Sequence, residues 1–398
     1  MSARRASVIV VSRHRAAALV RCLVALTQQD HPEFEVIVVA DPAGIAAVQG
    51  FACKRVVFDE ANISAARNAG LARAAAPVVA FIDDDACAEP TWLSQLTAPL
   101  VGGVDAATGF VIGRNGISRQ WGAAWVDATG RDYPFELAEA GVYAPQNGLV
   151  IKTQGTNCAF RRDALLAVGG FDPAFRFYLD EVDVNLRMQA VTAVVPMAQV
   201  VHGFAASAQR RADRVPLSLH DIGASTVCLL RRHARAGLDE AVAAEVLSAQ
   251  TARVRRLVTA RRISAEAGQA LLQSLRSGMD DGGIRPLLSL PPLVGADDFL
   301  PMPGTGPRSG RVIAGRVWQR ARLLSQARLA AQSQIVTVVC LSPTLRPHWM
   351  TFQPEGFWLQ EGGLYGRSIR SGPRFRMMRF ATRLRAELAR LRPVRPLD

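Results

Sequence analysis

The stretch Pro77–Glu89, PVVAFIDDDACAE, runs an apolar segment straight into three consecutive aspartates. Adjacent carboxylates repel one another and lose hydration on burial, so something positive must meet them where the segment emerges. Alternate side chains of an extended chain point the same way, so Asp83 and Asp85 can aim at one ion while Asp84 faces elsewhere. Hard oxygen ligands of this kind suit Mg²⁺ or Mn²⁺ completed by substrate phosphates. The plain alternative is an acidic turn that caps a helix near Thr91 and Trp92. A second acidic run, Asp180-Glu181-Val182-Asp183, opens a pattern in which Asp180, Asp183, Val184 and Arg187 share one helical face. Carboxylates in a first helical turn are favoured by the macrodipole, so an ordinary helix start also accounts for this run.

The elements that must hold these groups follow from periodicity. Ser7–Val11 reads as a buried strand, Ala16–Leu26 as a helix, Phe34–Val39 as a second strand ending at Asp41, and Arg55–Phe58 as a short third. Asn62–Arg73 is helical in pattern, with Arg67 and Asn68 on its polar side, and Val78–Ile82 is a strand buried on both faces. This alternation predicts an α/β fold with a mostly parallel sheet and right-handed crossovers. Ligands of such sheets bind outside the carboxyl ends of the strands, where Ser12, Arg13, Asp41 and the aspartates fall. The glycine fingerprints of dinucleotide-binding and P-loop proteins are missing here, so a bound diphosphate would be bridged by metal. Asp41 is suited to ribose or base donors.

Five blocks carry a resemblance. SVIVVSRHR, FEVIVVAD, NISAARNAGLARA with VVAFIDDD, GTNCAFRRDALLAVGGFDPAF, and FYLDEVDVNLRM are similar, in this order, to the motifs of family 2 glycosyltransferases of the GT-A fold. They cover residues 7–205, about half of the chain. The resemblance implies a GT-A sheet and a metal-dependent, inverting hexosyltransferase that moves a sugar from a nucleotide-diphosphate donor to a hydroxyl acceptor. It implies donor contacts at Ser12, Arg13, Asp41, Arg67, Asn68, Asp83 and Asp84, and metal ligation at Asp83, Asp85 and His202. The catalytic base would come from the second acidic motif. Register favours Glu181, side-chain type leaves Asp180 open, and Asp183 belongs to the same catalytic motif. The chain departs from the family in ending its first strand with SRHR, in keeping only Asp41 at the second strand end, and in reversing the order of the later acidic pair. Those departures motivate an alternative, a sugar-nucleotide-binding or scaffold protein without catalysis.

The formal net charge of +13 in 398 residues is almost all arginine, because Lys54 and Lys152 are the only lysines. Arginine's planar fork favours phosphate and carboxylate partners. A nucleic-acid binder is not expected, since the arginines spread along helices instead of interleaving with aromatics on one face. The six cysteines lack metal or disulfide spacing and read as buried hydrophobes of a reducing compartment. No apolar run reaches the ~20 residues that span a bilayer, and the N-terminal apolar run is too short for a signal segment. These points predict a cytoplasmic protein, either soluble or peripheral at the inner face of the plasma membrane.

Four segments are expected. They are a catalytic domain at 1–206, a helical extension at 207–276, a Gly/Pro-rich extended or mobile linker at 277–310, and a basic segment of unassigned role at 311–398. Within the extension, 217–236, 238–262 and 264–275 read as helices. In the last segment, 311–331 reads as a helix, 335–341 as a strand, and 350–366 as a hairpin. Residues 374–392 form an amphipathic pattern, with an Arg-rich face suited to anionic lipid or an apolar face packed on its own domain. Trp121 and Trp125, within 109–125, are expected either to stack on a glycan acceptor or to anchor core.

Overall fold

The computed structural model describes residues 5–134, 140–203, 210–211, 213–234, 239–287, 290 and 297–397. The first half comprises β1 (Ala6–Ser12), α1 (Ala16–Leu26), β2 (Phe34–Ala40), α2 (Pro42–Ala47), β3 (Lys54–Val57), α3 (Ile63–Arg73), β4 (Val78–Asp83), β5 (Ala86–Ala88) and α4 (Trp92–Thr97). There follow β6 (Ala106–Ile112), β7 (Arg119–Trp121), β8 (Ala124–Val126), β9 (Asp132–Pro134), β10 (Gly141–Tyr143), β11 (Val150–Ile151), β12 (Cys158–Arg161), α5 (Arg162–Ala167), α6 (Asp180–Met188) and β13 (Thr192–His202). The main sheet has the order β10-β13-β6-β12-β4-β1-β2-β3. β1, β2, β3 and β4 run parallel, β12 is antiparallel between β4 and β6, and β13 is parallel to β6. The strands β1, β2, β4, β6 and β13 therefore all deliver their carboxyl ends to one edge. This is the α/β fold that the alternating periodicity predicts.

Both faces of the sheet are covered, which is why its strands are continuous apolar runs rather than alternating ones. Leu19, Leu23 and Leu26 of α1 and Trp92 of α4 pack on one face, while Leu71 of α3, Phe171 and Val184 of α6 pack on the other. All six cysteines are buried and free.

The helices α7 (His220–His233), α8 (Asp239–Thr259) and α9 (Ala265–Ile284) follow. α9 continues through residues expected in the linker. It packs on α7 through glycines: a Cβ at Gly278 would lie 1.9 Å from the His220 carbonyl oxygen. The expected boundary at 206, the end of the first expected helix, and positions 288–289 and 291–296 lie outside the described residues. The segment after 297 is extended but tied down. The Leu300 N–H donates to Glu35 Oε2 (3.0 Å), that of Met302 to the Phe34 carbonyl (2.8 Å), and that of Gly306 to the Gln29 carbonyl (3.0 Å).

The last unit comprises β14 (Gly310–Arg316), α10 (Arg320–Ala330), β15 (Ile335–Ser342), β16 (Trp349–Phe352), β17 (Phe357–Gly363) and α11 (Phe380–Leu391), with sheet order β14-β15-β17-β16. Residues 310–316 are thus a strand, where a helix was expected from 311. Their pairing with β15 outweighs a local helical pattern built on arginine. The expected hairpin is present, turning at Gly356 with φ +83°.

The amphipathic pattern at 374–392 becomes helical only at Phe380. Its Leu384 and Leu388 pack on Val339, Leu341 and Leu364, and Arg383 and Glu387 are buried, so its apolar face is covered by its own domain. Among the described residues, no helix is long and apolar enough to cross a membrane.

This unit shares a core with the first half. Met350, Phe352, Trp358 and Leu391 pack with Ala25, Cys87, Ile112, Ile117 and Val201.

Candidate active site

β4 ends at Asp83, and the next two aspartates make the turn into β5. β5 pairs antiparallel with the end of β13 so that Ala86 lies opposite His202. The Gly203 N–H closes this pairing on the Asp85 carbonyl (2.7 Å). Register thus brings the imidazole to the aspartates. His202 Nε2 lies 3.1 Å from Asp85 Oδ1 and 3.6 Å from Asp83 Oδ2. One ligand atom from each of Asp83, Asp85 and His202 lies within 4.8 Å of the others. Two carboxylates and an imidazole form a donor set that fits a hard or borderline divalent cation. Burial alone would lower the His202 pKa, but hydrogen bonds and charge from Asp83 and Asp85 push it up to about 9. Burial would likewise raise Asp83, yet its bond to His202 and the Arg67 charge hold it below the usual carboxylate value.

Asp84 turns the other way, as alternation requires. It is fully buried, accepting from Ser12 Oγ (2.6 Å) and Arg15 Nε (3.0 Å), while Arg15 Nη2 reaches its other oxygen at 2.6 Å. Burial pushes its pKa up to about 7 against the pull of Arg15. Asp84 therefore positions the loop and does not line the cleft. Arg15, absent from the residues expected at the site, also approaches Asp85 (3.6 Å). Its only sequence signal was its place three residues beyond the first strand end.

A cleft of about 400 Å³ opens above these strand ends, lined by Ser12, Arg13, Arg15, Asp83, Asp85 and Arg210 among others. Arg13 is paired with Asp59 (2.9 Å). Asp41 is committed locally: it caps α2 through the Gly44 N–H and accepts from the His14 N–H (2.8 Å). Those backbone donors hold its pKa below the usual value despite burial. Asn68 clasps the Phe171 backbone at both ends of its amide (2.6 and 2.8 Å). Asp41, Arg67, Asn68 and Asp84, all expected to touch the donor, do not line the cleft, whereas Arg176, Phe177 and Arg210 do.

Arg67 instead bridges the two acidic motifs. Its guanidinium pairs with Asp180, stands 3.8 Å from Asp83 Oδ1, and donates to the Gly155 carbonyl (3.1 Å). A Cβ at Gly155 would lie 2.7 Å from Arg67 Nη2, so the glycine makes room for the charge. Entry to α6 places Leu179 in the left-handed region (φ 64°), a costly conformation for a branched side chain. Asp180 is buried, and desolvation holds its pKa well above the usual value despite Arg67. Asp183 is buried elsewhere, bound to Arg187 Nε (2.8 Å) and His233 Nε2 (2.9 Å). Glu181 is partly exposed. Trp121 stands 5.7 Å from the His202 ring, centroid to centroid, while Trp125 packs on Tyr143 at 6.0 Å.

The mostly parallel α/β sheet thus carries a carboxylate–imidazole cluster that could hold a cation at its carboxyl edge, beside an open cleft. Residues 7–169 match the family model for glycosyl transferase family 2. A curated relative, the glucosyl-dolichyl phosphate glucuronosyltransferase of Haloferax volcanii, is 31% identical over 118 residues, 28% of this chain and 34% of its own length. The chain thus spans about a third of that relative. Similar solved structures include S. aureus TarS 1-349 in complex with UDP, at 18% identity and TM-score 0.45, covering 70% of this chain and 88% of that one. Another is mannosyltransferase PcManGT from Pyrobaculum calidifontis with GDP-Man and Mn²⁺, at 16% identity and TM-score 0.43, covering 71% and 87%.

Proposed function

We propose that this chain is a metal-dependent, inverting hexosyltransferase. It moves a sugar from a nucleotide-diphosphate donor to a hydroxyl of a glycan or lipid-linked acceptor, in polysaccharide or cell-envelope glycan synthesis. The observation that carries the reading is the convergence of Asp83, Asp85 and His202 on one point, with Asp83 and Asp85 lining the cleft. A divalent cation, Mn²⁺ or Mg²⁺, held by these three side chains would supply positive charge to a departing diphosphate.

The protein's own groups supply the rest. Ser12 and Arg15 fix Asp84, and through it the turn that presents Asp83 and Asp85. Arg13, Arg176 and Arg210 give the cleft wall a positive surface for phosphate oxygens. Of the second acidic motif, Asp180 and Asp183 are spent on Arg67, Arg187 and His233, which leaves Glu181 as the base. Its carboxylate takes the acceptor O–H proton as that oxygen bonds to the anomeric carbon. The bond to the diphosphate breaks on the opposite face, and its electron pair leaves with the phosphate. Peripheral contact with an anionic bilayer would use the Arg-rich stretch 374–392, in which Phe375 and Met377 are exposed between arginines.

The deciding experiment incubates the full chain with UDP-, GDP- and dTDP-sugars, with and without Mn²⁺, and reads thermal stabilisation and the anomeric configuration of any product. Mn²⁺-dependent stabilisation by one nucleotide family and an inverted product support the reading. Indifference to every nucleotide sugar overturns it.

A further inference from the structure

The C-terminal unit holds a cavity of its own, about 230 Å³, between one face of α11 and the loop that follows β17. Arg383, Ala386, Glu387 and Arg390 supply the helix wall, at the i, i+3, i+4 and i+7 spacing of a single face. The loop supplies Arg367, Ser368 and Arg376. Its base is pinned: Gly366 bridges to Phe375, and the Arg376 N–H donates to the Tyr365 carbonyl (3.0 Å). The Arg370 N–H donates to Ser118 Oγ (3.0 Å), which ties the same loop to the first half of the chain. A buried polar network stiffens both walls. Arg383 Nη2 donates to the Gly366 carbonyl (2.7 Å) and to Ser368 Oγ (2.6 Å), and its Nε lies 3.0 Å from Glu387 Oε1. Glu387 accepts in addition from Ser368 Oγ and from Gln360 Nε2 (2.8 Å). Arg383, Gln360 and Glu387 are all buried, so the cavity keeps its shape without a ligand.

The charge around this space is one-sided. Glu387 is the one carboxylate among the lining residues, and Arg383 takes it. Arg390 reaches Glu387 only at 3.5 Å and donates to Gln360 Oε1 (3.0 Å), while its buried Nε has no hydrogen-bond partner among the described residues. Arg367 spends Nη1 on the Arg370 carbonyl (3.1 Å), and neither it nor Arg376 pairs with a carboxylate among the described residues. A buried donor without a partner is costly, and an acceptor bound in the cavity would satisfy it. Guanidinium forks from a helix and a loop match the tetrahedral oxygens of a phosphate. The volume falls below the roughly 300–1,000 Å³ of pockets for drug-sized ligands, so it suits a headgroup. Beside the cavity the chain exposes Ile369, Phe375 and Met377, apolar side chains set among arginines as at a membrane interface. We propose that this cavity binds a phosphate group, carried by an anionic lipid headgroup or by a soluble phosphate ester. Only the lipid source rests on the peripheral contact proposed above. None of the lining residues borders the cleft or belongs to the cation cluster.

Two probes separate these sources. The full chain is titrated with inorganic phosphate, read by thermal stabilisation, and with vesicles of phosphatidylglycerol in phosphatidylcholine against phosphatidylcholine alone, read by co-sedimentation. Arg376→Gln and Arg390→Gln should each weaken binding of the effective probe roughly tenfold. Arg376 is exposed, so its variant tests the site even if Arg390→Gln fails to fold. Arg385→Gln, which removes an exposed arginine of α11 outside the cavity, should cost less than about twofold. Stabilisation by phosphate without vesicle binding assigns the soluble source, and sedimentation with phosphatidylglycerol assigns the lipid. The proposal is overturned if wild type responds to neither probe. It is equally overturned if Arg385→Gln costs as much as Arg376→Gln, the mark of diffuse surface charge. Stabilisation by UDP or GDP with Mn²⁺ is read on the same samples and should be equal in wild type and Arg376→Gln. Its absence from wild type removes the glycosyl-transfer reading and leaves the phosphate site standing. Its loss in Arg376→Gln alone would assign that arginine to the donor cleft and overturn the separate site.

Discussion

Arg395 and Glu89 form a two-pronged ion pair inside the protein, with Nη2 to Oε1 at 2.6 Å and Nε to Oε2 at 2.9 Å. Both side chains are buried, and the guanidinium lies 4.1 Å from the centroid of the Trp358 ring. Glu89 follows β5, so a residue of the C-terminal unit grips the chain four positions after Asp85.

Arg395→Ala leaves Glu89 buried without its counter-charge. We expect a loss of about 3–5 kcal/mol in unfolding free energy, measured by urea titration. A loss below about 1 kcal/mol would mean that the pair is solvated like a surface ion pair.

Asp85→Asn and Asp83→Asn should each abolish stabilisation by Mn²⁺ while the circular dichroism stays native, because both side chains aim at the cation point. Asp84→Asn should behave differently. It loosens the grip of Ser12 and Arg15 and lowers the melting temperature even without metal. Equal metal responses in all three variants would contradict the alternation of these side chains.

Glu181→Gln should lower kcat by roughly 10²–10⁴ with little change in the KM of the donor, as expected for loss of a general base. Asp180→Asn removes the buried partner of Arg67, so its main effect should be on stability. A full loss of kcat in Asp180→Asn with an unchanged melting temperature would move the base to Asp180.

The raised pKa of His202 gives metal binding a pH dependence. Imidazole ligates only when neutral, so below about 9 a proton must leave as the cation enters. Affinity should therefore rise with pH, by up to about tenfold per unit below that value. Calorimetry with Mg²⁺ at pH 6.5 and pH 8.5 checks the sign, and His202→Gln should flatten the dependence. Stronger binding at the lower pH would exclude His202 as a ligand.

The main sheet was legible because its strands are buried on both faces and carry uninterrupted runs such as Val36–Ala40, and because Asn62 announces α3 as its N-cap. The pairing of Asp83 with Asp85 was legible for a related reason, since strand alternation separates both from Asp84, whereas His202 was expected only from the resemblance. Arg67 was noted as a donor contact, but its link to Asp180 was not legible, because it spans 113 positions and local spacing carries no trace of such a pair. Asn68 and Asp41 read as donor contacts, and the backbone groups they satisfy are not legible from local sequence. Residues 310–316 read as a helix because the pairing with β15 that makes them a strand is a tertiary fact. Arg210 gave no signal, since it gains meaning only from segments far away in sequence.

The mixed apolar cluster in which Trp358 and Met350 cover Cys87, Ile112 and Val201 sets a limit on dissecting this chain. A fragment stopping after residue 203 would retain every cation ligand named above, yet it would expose to water the greasy rear of the turn that carries them. Shortened that way, the polypeptide should clump, and any stabilisation by Mn²⁺ should be lost with it.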